Sequence, residues 1–109
     1  MIVLTETTDK VEVKLGVAHT SNALQCYSCY REITTTTYVP GRTIIDTNGT
    51  NDVIVVPVPN TSSQKIVDFI SVYNADTILH NVTVKIDANG TEKILWKGDV
   101  AVGAADSRD

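Results

Sequence analysis

Nowhere in its 109 residues does the chain carry an apolar run longer than a few residues, so no segment can form a membrane-spanning helix. Positive charge is in deficit, with 9 Lys and Arg against 13 Asp and Glu, for a net charge of −4. Nucleic-acid binding by counterion release needs clustered positive charge, so that class is not expected. Strong helix formers are thin: there are five Leu and one Met, and no helical apolar spacing persists beyond about two turns. The opening Met1-Ile2-Val3-Leu4-Thr5-Glu6 has neither the basic region nor the apolar stretch of a secretory leader, and none is expected. Catalytic signatures are missing too: there is no G-x-S-x-G elbow, no H-E-x-x-H and no phosphate-binding Gly-rich loop. A carboxylate pair could be picked from 13 acids almost at will, so such a pick carries no weight. The expectation is therefore no catalytic residue, no bound cofactor and no metal ligand.

What the chain does have is β-branched residues. Val (15), Thr (15) and Ile (10) together make 40 of the 109. Their stiff side chains suit a pleated surface better than a helix. With 42% hydrophobic and 20% charged residues the composition is that of a globular domain. Turn signals recur about every ten residues, the spacing of a sandwich or barrel. The expected fold is all-β: one antiparallel, jelly-roll-like β-sandwich over residues 1–109, with about eight strands and a flexible polar tail at 103–109. The strands are predicted at 11–17, 24–33, 34–39, 42–46, 53–58, 65–73, 79–87 and 91–102, with 2–4 as a ninth. Pro40-Gly41 reads as a turn between the third and the fourth. Ile45-Asp46-Thr47-Asn48-Gly49-Thr50 recurs as Ile86-Asp87-Ala88-Asn89-Gly90-Thr91, and both Asn-Gly pairs read as hairpin turns.

Two runs, Val53-Ile54-Val55-Val56 and Ile66-Val67 with Phe69-Ile70, are apolar on both faces, and a strand of that kind must be covered on both sides. Either a neighbouring copy supplies the second cover or a loop or arm of the same chain does. Val53, Val55, Val67, Phe69, Tyr73 and Trp96 are accordingly the candidate interface residues of a homo-oligomer, a trimer among the expected states. Cys26-Tyr27-Ser28-Cys29 has C-x-x-C spacing, but on a strand the two Cα atoms stand roughly 10 Å apart, too far for a disulfide. With His19 and His80 isolated, structural thiols are expected rather than a zinc or redox pair. Asp87-Ala88-Asn89-Gly90 opens like a calcium loop yet lacks the twelve-residue frame, and Asp46, Asn48 and Asp52 read as turn chemistry. Sequons at Asn48, Asn60, Asn81 and Asn89 are read as chance in a chain rich in Asn and Thr. Lys85, Lys93 and Lys97 are expected as a solvated basic stripe on the last hairpin, and Tyr27, Tyr30, Tyr38 and Tyr73 as core or interface aromatics.

The segment Asp68-Phe69-Ile70-Ser71-Val72-Tyr73-Asn74-Ala75-Asp76-Thr77, followed by His80-Asn81-Val82-Thr83-Val84 and Ile94-Leu95-Trp96-Lys97, resembles a family of small β-rich virion proteins of tailed bacteriophages. Leu4-Thr5-Glu6-Thr7-Thr8-Asp9 and 33–42 fit the same pattern, which extends to about Val102. The resemblance implies a non-enzymatic structural component: a capsid decoration (cement) protein first, a tail or neck part second. It implies further copies of itself and the major capsid protein as partners, with assembly in the bacterial host cytoplasm and no contact with nucleic acid or membrane. A host-surface or carbohydrate-binding module is the reading from a different class.

Overall fold

The computed structural model describes residues 2–108. Among them the regular elements are strands: β1 Ile2–Leu4, β2 Asp9–Leu15, β3 Gln25–Ile33, β4 Tyr38–Asp46, β5 Val53–Val56, β6 Gln64–Tyr73, β7 His80–Ala88, β8 Thr91–Val100 and β9 Ala105–Arg108. They form two antiparallel sheets packed as a β-sandwich. Sheet A has the order β1-β6-β3-β4, with β9 also paired to β6, and sheet B the order β5-β2-β7-β8. The pairs β2–β7 and β3–β6 are nested along the chain, while the hairpins β3–β4 and β7–β8 widen each sheet by one strand. No helix among the described residues is long and apolar enough to cross a membrane.

Alternation decides which residues are inside. Val11, Val13 and Leu15 of β2 face Val82 and Val84 of β7 across the register, and all five are buried. Leu4, Cys26, Val67, Ile70 and Val72 line the facing side of sheet A. Each such side chain contributes about 1.5–3 kcal/mol relative to exposure.

Both runs that read as two-faced are β-bulges. Val11 pairs with Val56 and Glu12 with Ile54, so Val55 is an extra residue in the β2–β5 ladder. Cys29 pairs with Phe69 and Tyr30 with Val67, so Asp68 is extra in the β3–β6 ladder. A bulge resets the side-chain alternation by one position. Val53, Val55 and Val56 thus turn inward together, as do Val67 and Ile70 on either side of Asp68 and Phe69. The extra residue's carbonyl in β5 is used as well: Ser28, fully buried in sheet A, donates its hydroxyl proton to Val55 O in sheet B.

Four local expectations are corrected. The chain turns at Thr34–Thr37, where Thr34 N donates to Thr37 O (3.1 Å) and the Thr34 hydroxyl accepts the amides of Thr36 and Thr37. Threonine hydroxyls that capture backbone amides compete with extension. Pro40-Gly41 is therefore not a turn but the middle of β4, an edge strand where a missing N–H is tolerated. Asn89-Gly90 makes the expected hairpin, both residues at positive φ, but Asn48-Gly49 turns a corner between β4 and β5, which lie in different sheets. At the end of the chain, the Asn74 amide donates to Ala104 O, and its carbonyl accepts the Gly103 amide. These bonds deliver 105–108 to β6 as a strand instead of a free tail, with Gly103 at φ +75° in the turn. Asp109 lies outside the described residues.

Candidate functional site

The two inner faces are alike and the two outer faces are not. On sheet A, the register places Ile44, Arg42, Pro40 and Tyr38 of β4 beside Tyr27, Cys29, Arg31 and Ile33 of β3, and those beside Ser71, Phe69, Ile66 and Gln64 of β6. Val3 of β1 stands opposite Ile66, and Tyr73 lies one row beyond Ser71. Ile44 is 66% exposed and Tyr38 61%, while Tyr27, Tyr73 and Val3 are open to a lesser degree. Tyr27 and Phe69 pack as a tilted aromatic pair, centroids 6.3 Å apart. Among the polar groups on this face the charges are balanced. Arg31 grips Asp68 in a two-nitrogen fork at 2.9–3.2 Å, and Arg42 and Asp46 carry one charge of each sign. A concavity of about 300 Å³ lies among Tyr27, Cys29, Pro40, Gly41 and Arg42.

Sheet B is mostly charged outside, with Ile54 beside Glu12 and Ile94 beside Lys85 among its exposed apolar residues. Lys10 opposes Asp87, Glu12 opposes Lys85, and Lys14 opposes Thr83. The Lys85 ammonium, almost wholly buried, binds Asp52 at 2.9 Å and also Glu92. Burial alone would lower its pKa, but the hydrogen bonds to Glu92 and Asp52 outweigh that and raise it. Glu12 is only 6% exposed, and its Oε1 has no hydrogen-bond partner. Its pKa is raised, first by burial and then by the charge of Asp52, with Lys10 and Lys85 opposing. The expected basic stripe is thereby corrected: Lys85 is locked among acids, and Lys93 pairs with Ile86 and so belongs to the other side of β8.

Two polar anchors close the sandwich. At one end the Asp76 carboxylate accepts the amides of Thr20, Ser21 and Asn22, the Thr20 hydroxyl, and His80 Nε2 at 2.7 Å. Burial pushes its pKa up, yet His80 and the amides of Thr20, Ser21 and Thr77 prevail and hold the carboxyl far below the usual range. This is an Asp–His pair, but His80 is completely buried and its Nδ1 meets no partner, so no hydroxyl or thiol is set up as a nucleophile there. At the other end Lys65 points inward, donating to Pro57 O and Val58 O at 3.0 and 3.1 Å above the Tyr30 ring. Burial lowers its pKa, against Glu32, which raises it. A concavity of about 460 Å³ is lined by Thr5, Ile33, Thr34, Thr35, Ser62, Ser63 and Gln64, without an ionisable side chain.

The candidate interface residues separate into three groups. Val53 (7% exposed), Val55 (0%) and Val67 (2%) are core, so they cannot meet a partner; the bulges that carry them inward are the reason. Phe69 and Tyr73 do lie on the outer face of sheet A. Trp96 is half-buried at the open edge, its ring stacked under the Arg108 guanidinium of β9 at 5.3 Å, which ties the edge strands of the two sheets together. Cys26 and Cys29 are free thiols. Cys26 is buried, and burial with the charge of Asp46 pushes its pKa up to about 12. Sequence reasoning missed Ile44 and had Tyr38 only as a core or interface aromatic, because the false turn at Pro40-Gly41 broke their strand in two. It also missed Glu12, whose burial depends on strand neighbours 42 and 73 positions away in the chain.

No protein-family model matches the chain, and neither curated proteins nor solved structures give a significant match.

Proposed function

We propose that the chain is a non-enzymatic virion structural protein of a tailed bacteriophage, acting as a capsid decoration protein. In this reading the outer face of sheet A packs against a second copy of the chain, and the assembly holds to the major capsid protein after synthesis in the host cytoplasm. The observation that carries the reading is that face: exposed apolar and aromatic side chains spread over three strands, with balanced charge.

Its size supports a second copy as the occupant. The strands β3, β4 and β6 are nine or ten residues long. At about 3.3 Å per residue and about 4.8 Å between strands, the face spans roughly 500 Å² in projection, before side-chain relief is counted. A standard interface takes about 800 Å² per partner, so most of one partner's share is present here. Charge agrees with this, since two copies related by a twofold axis can set Arg42 against Asp46 without repulsion. Many weak copies on a shell then act together through multivalency. A carbohydrate-binding module is the second reading, favoured by the exposed Tyr27, Tyr38 and Tyr73 on the same face.

Sedimentation velocity over a concentration series, with pelleting of the protein alongside empty phage heads and isolated tails, tests the proposal. An oligomer that pellets with heads is expected. Pelleting with tails alone would move the protein to the tail or neck. A monomer at all concentrations that pellets with neither would overturn the structural reading, and binding to a glycan array would replace it.

A further inference from the structure

The outer face of sheet B offers a different chemistry. Glu12 of β2, Asp52 just before β5 and Glu92 of β8 each present a carboxylate oxygen, and the three oxygens lie within 4.8 Å of one another. Oxygens that close can share one ion, since ligands on opposite sides of a calcium ion at about 2.3–2.6 Å stand no more than about 5 Å apart, and carboxylate oxygens are the ligands that hard divalent cations take.

A second observation makes this more than an acidic cluster. Glu12 is 6% exposed, and its Oε1 is sealed from water without a hydrogen-bond partner. Buried carboxylate oxygens are costly when unpaired. Asp52 and Glu92 already share the Lys85 ammonium, so the three carboxylates and one lysine sum to a charge of −2. The nearby Asp87 is paired with Lys10 at 3.9 Å and adds nothing to that balance. The site thus has an unfilled acceptor and the charge of one divalent cation.

We infer that Glu12, Asp52 and Glu92 form a binding site for a hard divalent cation, calcium, in competition with the Lys85 ammonium for the same carboxylates. Glu12 is the fixed ligand, held by strands on both sides of β2. Asp52 and Glu92, at the rim, exchange the lysine for the ion, and water completes the coordination shell. This inference does not depend on the virion reading.

Calorimetric titration of the full, chelator-treated chain with calcium chloride, and separately with magnesium chloride, tests it. One calcium per chain is expected, with Kd on the order of 10⁻⁴–10⁻³ M, as in sites of few charged ligands, and magnesium at least about tenfold weaker. Glu12→Gln should weaken calcium binding at least about tenfold, and Asp52→Asn, at an exposed position that leaves the fold intact, should do the same. Lys85→Met should strengthen it by about the same factor, because the competing ammonium is gone. No saturable binding up to about 10 mM would overturn the site. So would equal affinity in Asp52→Asn, or weaker binding in Lys85→Met than in the parent chain.

Discussion

Sheets A and B share one core and one construction, β-branched residues alternating across antiparallel ladders, yet they turn opposite characters outward. Sheet A shows Tyr27, Ile44, Tyr38, Phe69 and Ile66, while sheet B sets Lys10, Lys14, Lys97 and Asp87 around the buried Glu12 and Lys85, with Ile54 and Ile94 among its exposed apolar side chains. The difference teaches where a small sandwich keeps its function. Inner faces are constrained alike by packing, so only the outer positions of each strand are free to differ. An apolar outer face is a liability in water unless something covers it, whereas a charged one is soluble and can hold ions.

The comparison presupposes a frame that holds both sheets, and the largest effect should come from breaking that frame. Asp76→Ala leaves three amides, the Thr20 hydroxyl and His80 without their shared acceptor. Thermal unfolding should show Tm lower by more than about 10 °C, the scale of a lost buried network in a domain of this size. The carboxyl's folded pKa lies below its unfolded one, so the fold favours the ionised form. Its contribution is complete above the ordinary carboxylate value of about 3.9 and is lost as pH falls below it. Urea midpoints between pH 6 and pH 2.5 should therefore fall less steeply in Asp76→Asn than in the parent chain.

The next effect tests the contrast itself. Ile44→Lys puts a charge in place of the most exposed large apolar side chain of the sheet A face, and self-association should weaken by about thirtyfold or more, the cost of a hot-spot contact. Lys97→Glu, at an exposed position on the outer face of sheet B, should leave it unaltered. Both variants should keep unfolding free energies within about 0.5 kcal/mol of the parent, as surface changes do. Sedimentation equilibrium reads the first quantity and urea titration the second. Equal weakening by both would erase the distinction between the faces.

Smaller again is Gly41→Ala. Gly41 lies opposite Tyr30, and an added Cβ would meet Tyr30 Cε2 at 2.8 Å. The glycine serves to let that ring lie across the strand beneath the Lys65 ammonium. Displacing the ring should cost about 1–2 kcal/mol in urea titration, within the range of overpacking.

Much of this architecture is written locally and some of it is not. Alternation of Val11, Val13 and Leu15 marks β2 without help, and Asn89-Gly90 announces its hairpin. A bulge leaves no local signature except a break in alternation, which in Val53-Ile54-Val55-Val56 and around Asp68 mimics a strand apolar on both faces. Pro40-Gly41 carries turn chemistry, but β4 is an edge, where the missing N–H is harmless, and the turn passes to the threonines. Nothing local marks Asp76 as an anchor, because the amides that bind it come from more than fifty positions earlier. The candidate cation site was illegible for the same reason: Glu12, Asp52 and Glu92 meet only after β5, β2, β7 and β8 are laid side by side.

The two cysteines give the finest probe of the sheet A face, because they sit on opposite sides of β3. Cys26 points into the core with its pKa pushed up to about 12, so near pH 8 it is neither reachable nor ionised. Cys29 stands half-buried on the outer face between Arg42 and Phe69. A small alkylating reagent should modify one thiol in the folded chain and two in denaturant, as mass spectrometry can count. If a second copy covers this face, the rate at Cys29 should fall as protein concentration rises, and Ile44→Lys should restore it. A Cys29 rate independent of concentration, in a sample shown by sedimentation to be oligomeric, would put the contact on another surface of the sandwich.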